Sequence, residues 1–127
     1  MKRQTKMWAR KAEEDWEGAC QLATGKPPLR DLVCFHCQQA AEKYLKALLQ
    51  DHGVAVPKTH NLSDLLNLLL PGDATLIPLR RALLALTRYA VDYRYPGSRT
   101  TTRQMQTALR HAGRVRREVR ERLGLPL

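Results

Sequence analysis

Phenylalanine occurs once, tryptophan twice and tyrosine four times in the 127 residues, so aromatics make up only 6% of the chain. So few rings point away from a core built on large aromatic side chains and toward helices packed through Leu and Ala. Long hydrophobic runs are also missing. Stretches such as Leu65-Leu66 and Leu68-Leu69-Leu70 are far too short to cross a bilayer. The basic opening Met1-Lys2-Arg3-Gln4-Thr5-Lys6 leads into no apolar signal-peptide core. Cysteine occurs three times, an odd number that makes no disulfide framework and fits a reducing compartment. These absences predict a cytoplasmic protein with no membrane contact, and the length predicts one domain over residues 1–127.

Acidic residues are scarce as well: 12 Asp and Glu stand against 22 Lys and Arg, a net charge of +10. A field of that sign attracts nucleic acid, nucleotides, acidic proteins or anionic lipid heads, and does not choose among them. Arginine outnumbers lysine, and its planar fork suits phosphate; coding bias or adaptation to heat explains the same ratio equally well.

What is present is helical periodicity. Trp8, Ala12, Trp16, Ala19 and Ala23 recur at helical spacing between about Thr5 and Ala23, and Gly25-Lys26-Pro27-Pro28 ends the segment. A second helix is expected from about Leu29 to Asp51, with Val33, Cys37, Ala40, Ala41, Tyr44, Leu45 and Leu48 inward and Gly53 as its stop. Asn61 is placed to cap a short third helix carrying Leu62, Leu65, Leu66 and Leu69. A fourth should cover about Leu76 to Tyr93, with Leu79, Leu83, Leu86 and Ala90 inside. A fifth should run from about Thr101 to Leu123. No segment alternates with a period of two. The expected fold is all-α, an up-and-down bundle of four long helices plus one short helix.

Cys34-Phe35-His36-Cys37 has CxxC spacing. It lacks both a βαβ context for redox chemistry and a second ligand pair for zinc, so packing is the preferred reading and no metal is assigned. Arg30 and His36 are six residues apart, about 600° around a helix, and do not share a face. His60 opens a helix, where a structural role outweighs an acid–base one because no nucleophile accompanies it. Glu13-Glu14-Asp15 and Glu17 are read as an exposed part of the first helix.

Between Arg88 and Arg99, three arginines and three tyrosines (Arg88, Tyr89, Tyr93, Arg94, Tyr95, Arg99) fall within twelve positions around a helix end. Arginine forks hold phosphate and tyrosine rings stack bases, with Asp92 orienting Arg88 or taking a ribose hydroxyl. Core tyrosines and an ion-paired Arg94 account for the pattern equally well. On the last helix Met105, Ala108, Leu109, Ala112, Val115, Val119 and Leu123 share one face, and Arg99, Arg103, Arg110, Arg114 and Arg117 the opposite one. Only Glu118 and Glu121 are acidic in that segment, so the stripe reads as an anion-binding face rather than a balanced solvated one.

Gln38-Gln39-Ala40-Ala41-Glu42-Lys43-Tyr44-Leu45-Lys46-Ala47-Leu48-Leu49, then Thr59-His60-Asn61-Leu62, then Tyr93-Arg94-Tyr95-Pro96, resemble in that order the HEPN (higher eukaryotes and prokaryotes nucleotide-binding) domain. The resemblance covers nearly the whole chain. It implies a helical bundle that commonly forms a homodimer, is often paired with a minimal nucleotidyltransferase, and belongs in some cases to a toxin–antitoxin system. Gln39, Glu42 and Lys46 match the second-helix signature, His60 the helix-entry histidine, and Arg94, Tyr95 and Pro96 the Arg-Tyr-Pro segment. The resemblance implies phosphate contacts by Lys46 and Arg94 with Tyr95 stacking a base; Arg88, Asp92 and Arg99 join the expected nucleotide or RNA site from the Arg-Tyr cluster itself, and no cofactor is expected. Toxic family members are metal-independent ribonucleases with Arg followed four to six residues on by His. Here the next histidine after Arg94 is His111. The expectation is a non-catalytic binding module; the alternative is a dimeric ribonuclease using His36, His60 or His111.

Overall fold

The structure is a computed structural model and describes residues 1–91, 96 and 99–127. Among the described residues five α-helices follow in order: α1 (Arg3–Ala23), α2 (Arg30–Asp51), α3 (Leu62–Leu69), α4 (Arg80–Thr87) and α5 (Thr102–Leu123). Among the described residues there is no strand, and no helix is long and apolar enough to cross a membrane.

The helix α2 is the hub. It packs against α1, α5, α3 and α4, so nearly every side of it is covered. Its middle is made for this: Cys34, Cys37, Ala40, Ala41 and Ala47 are small and fully buried, which lets neighbouring helices approach closely. Tyr44, Leu45, Leu48 and Leu49 fill the wider gaps. From α1 the centre of the contact is Thr5, Ala9, Ala12 and Ala19, with Trp8 and Trp16 at its borders and half covered. From α5 it is Met105, Ala108, Ala112, Val115 and Val119. Gly113 belongs to the same seam, since a Cβ there would stand 3.1 Å from the Trp16 ring.

Helix ends fall where local chemistry puts them. The Asn61 side chain accepts from the Ser63 and Asp64 N–H groups and caps α3, and Gly53 follows α2 with φ of 73°. Thr101 and Gln104 form a reciprocal capping box at the start of α5.

The expected fourth long helix is helical over Ala74–Ala90 but is α only from Arg80 to Thr87, with 3₁₀ turns Ala74–Leu79 before it and Arg88–Ala90 after it. Pro78 has no N–H to give an α ladder, and Asp73 starts the first turn by accepting from Thr75 N–H. Leu79, Leu83, Leu86 and Ala90 nevertheless face the core as their spacing implies. Tyr93, its expected end, lies outside the described residues.

The acidic cluster of α1 departs from expectation. Glu14 and Glu17 are exposed, but Glu13 and Asp15 turn into the seams with α2 and α5. Arg116 grips Glu13 with two bonds of 2.7 Å, Tyr44 donates its hydroxyl to the same carboxylate, and Arg120 donates to Tyr44 at 3.0 Å. Asp15 takes Lys43 at 2.6 Å and His36 at 2.8 Å. The forked Arg116 bond holds the Glu13 carboxyl below its ordinary 4.5, against the opposing pull of burial.

A folded pKa below the unfolded one gives stability that is complete above the unfolded value and lost as pH falls through the folded value. Glu13→Gln should therefore cost about 1–2 kcal/mol at neutral pH. Its deficit against the wild type should shrink as pH falls from about 5 toward 3 in urea titrations; a deficit that stays constant with pH would refute the assignment.

Candidate functional site

Four of the residues singled out in the sequence converge around a buried ion pair. Glu42 and Lys46 are one turn apart on α2, and both are buried, at 3% and 6% exposure. Lys46 Nζ donates to Glu42 Oε2 at 2.9 Å and sits 5.5 Å from the centre of the Trp8 ring. The other carboxylate oxygen faces His60 Nδ1 at 2.8 Å and accepts from Gln38 Nε2 at 3.1 Å. Gln38 also donates to the His60 carbonyl at 3.2 Å, and Gln39 donates to Gln38 Oε1 at 2.7 Å. With Nδ1 turned to the carboxylate, His60 presents Nε2 away from it, on a ring that is 69% exposed. Every partner of Lys46 is internal. Its ammonium is paired with Glu42 and lies over Trp8.

Arg88 and Arg99 lie elsewhere, each near the N-terminal part of α2, where Cys34 is twelve residues, or about 18 Å of helix, before Lys46. The Arg88 guanidinium lies over the buried Tyr89 ring at 5.1 Å. Burial pushes the Cys34 thiol up to about 11, opposed by hydrogen bonds from the Thr100 and Tyr89 side chains and by the charge of Arg88. Arg88 and Thr100 thus both lie near Cys34. Asp31 accepts from the Thr100 N–H at 2.9 Å, and Arg30 donates to Thr102 Oγ1 at 3.2 Å. Arg30, Asp31, Arg99 and Thr100 line a surface cleft of about 280 Å³. Asp92, Arg94 and Tyr95 lie outside the described residues, and Pro96 is an exposed turn residue.

Cys37 is fully buried and its thiol is also pushed up by burial, so both CxxC thiols stay protonated at neutral pH and act as small packing groups. The three histidines weighed as catalysts occupy different places. His36 is on Asp15, His60 on Glu42, and His111 in a groove between α4 and α5 beside Tyr89.

The arginines of α5 divide into two sets. Arg116, Arg120 and Arg122 turn toward Glu13, Tyr44, Asp73 and Glu118. Arg103, Arg110, Arg114 and Arg117 are exposed, and among the described residues no carboxylate lies within 4 Å of any of them. Sequence reasoning named this second set and missed two things. Gln38 and Trp8 complete the Glu42–Lys46 cluster, and only their spacing against the inward face signals it. The pairing of Glu13 with Arg116 spans more than a hundred positions and leaves no local signal.

The model of the HEPN domain matches residues 5–122. The chain belongs to the HEPN domain family. This HEPN chain superposes on the crystal structure of TT1696 from Thermus thermophilus with a TM-score of 0.79 and 28% identity, over 94% of this chain and 98% of that one. It is similarly close to ST0689, described as an archaeal HEPN homologue, with a TM-score of 0.75 and 28% identity over 96% and 98%. No curated protein sequence is significantly similar to it. In this HEPN chain the signature residues of α2 form an internal polar cluster, and the exposed cations lie on other surfaces.

Removing one member of a buried pair strands the other. Glu42→Ala should cost about 3–5 kcal/mol in urea unfolding, while Glu42→Leu combined with Lys46→Met should recover a large part of that loss. A double-mutant cycle with no coupling between the two positions would refute the pairing.

Proposed function

We propose that this HEPN domain is a non-catalytic module that binds RNA or nucleotide phosphate through arginine. The observation that carries the reading is the exposed face of α5, where Arg103, Arg110, Arg114 and Arg117 stand without a carboxylate partner among the described residues. Their Cα positions span about 21 Å of helix. Four like charges along one face repel each other unless an anion joins them, and a polyphosphate strand supplies several at once. Arg99, just before α5, extends the cationic surface at the end where that helix begins, and Arg88 belongs to the same proposal. Arg94 and Tyr95 belong to the same proposal as a second fork and a stacking ring, with Asp92 orienting Arg88 or taking a ribose hydroxyl.

A protein partner is the second reading. Ile77, Leu84 and Val91 are large, apolar and exposed, with Arg81 and Arg88 between them in the sequence. This outer side of the α4 segment suits a second copy in a homodimer or a nucleotidyltransferase-type protein.

For four phosphate contacts on a single strand, log K should fall with log salt with a slope of about −3, and Arg110→Ala with Arg114→Ala should reduce that slope by about 1.4. The RNA should emerge intact from the same titration. Binding indifferent to salt would overturn the reading. Cleavage that disappears when His36, His60 or His111 becomes alanine would replace it with a ribonuclease.

A further inference from the structure

A groove of about 210 Å³ runs between the α4 segment and α5. Its floor is apolar, formed in part by Leu86 and Ala108, both buried. One wall carries Gln104, Thr107 and His111, spaced three and four apart so that they share a face of α5. Each has a defined hydrogen-bonding role. Gln104 Oε1 is taken by the Thr101 N–H, which leaves its amide nitrogen to donate. Thr107 Oγ1 accepts from Arg110 at 3.2 Å, which leaves its hydroxyl proton to donate. Burial, with the charges of Arg110 and Arg114, pulls His111 below its ordinary pKa of 6.5. At neutral pH its ring is therefore uncharged, with one nitrogen to donate and one to accept. Arg103, an exposed residue, also lines the groove, and among the described residues no carboxylate does.

An apolar floor, a neutral wall of donors and one acceptor, and a cationic rim are the complement of a flat neutral heterocycle attached to phosphate. Two other surface grooves lack this combination. The one along the start of α1 is lined by Met1, Arg3, Lys6, Met7 and Arg10, cations and methionines only, and the cleft at the start of α2 contains the Asp31 carboxylate.

We infer that the groove between α4 and α5 takes an unpaired nucleobase of a single-stranded RNA whose phosphates lie on the α5 arginines. The inference rests on the phosphate-binding reading above and adds the part of the ligand that charge alone does not select. The bases on either side of the inserted one stay outside the groove, so the contribution is that of a single base.

The test compares a short single-stranded RNA with an abasic oligonucleotide of equal length and charge. The wild type should prefer the base-bearing strand about tenfold, in line with one stacked and hydrogen-bonded base. Ala85→Trp, which fills the groove from the α4 side, should abolish that preference and leave the salt slope unchanged. Ala85→Phe fills it less completely and serves as the second variant if the first fails to melt cooperatively. A filled groove that keeps the full preference overturns the inference while the phosphate reading stands. Salt-sensitive binding to neither strand overturns both. A nucleoside 5′-monophosphate that competes at the oligonucleotide's own concentration reassigns the groove to a free nucleotide and overturns the strand.

Discussion

A carboxylate sits at the centre of this protein. Glu42 lies on the face of α2 that other helices cover, where an ionised group is tolerated only with its charge and lone pairs matched. The match comes from three parts of the chain. Lys46 is on the same helix, Gln38 is one turn earlier, and His60 is on the segment that leads into α3. Trp8 of α1 closes over the Lys46 ammonium. One buried charge therefore ties the positions of α1, α2 and the entry to α3 together, and slippage of any of them would leave an unpaired ion in the core. Such a cluster acts more on specificity than on net stability, because apolar side chains of the same volume would pack there at less cost.

That constraint also bears on function. Residues consumed in holding the bundle together are not available to a ligand, so the surface that meets a partner has to be built from what is left over. The excess positive charge follows this rule. Acidic residues of α1 and of the turn before α4 are spent on Arg116, Arg120 and Arg122, and these arginines cross-link α5 to α1, to Tyr44 of α2 and to Asp73. Asp73 is held down at about 2 by Thr75 and Arg122. The arginines on the outer side of α5 are left over. The same helix thus carries a neutralised inner flank and an uncompensated outer one, and the second is the surface a polyanion would meet.

Much of the fold was legible because its determinants are local. Asn61 caps α3, Thr101 opens α5 and Gly53 follows α2 for reasons contained within a few residues of each, and the 3.6-residue period placed the inward leucines of α3 and α4. The interruption around Pro78 was visible as a residue but not as a 3₁₀ turn, since Asp73 and Thr75 supply the alternative hydrogen bonds. Glu13 and Asp15 look like a solvated acidic run when taken alone; their partners come from distant helices. Lys46 shows the limit most clearly. Its spacing to Glu42 announced the pair that forms, while its burial, a property of the assembled bundle, left no mark on the local sequence.

The central claim is that the signature cluster is structural and that the outer face of α5 is where the ligand binds. Backbone amide shifts, followed by NMR as single-stranded RNA is added, test it most directly. The account predicts perturbations along the exposed side of α5, in the groove it forms with α4 and around Arg99, with the amides of Glu42, Lys46 and His60 unmoved. Perturbations centred on Lys46 and His60, with the outer face of α5 silent, would contradict it.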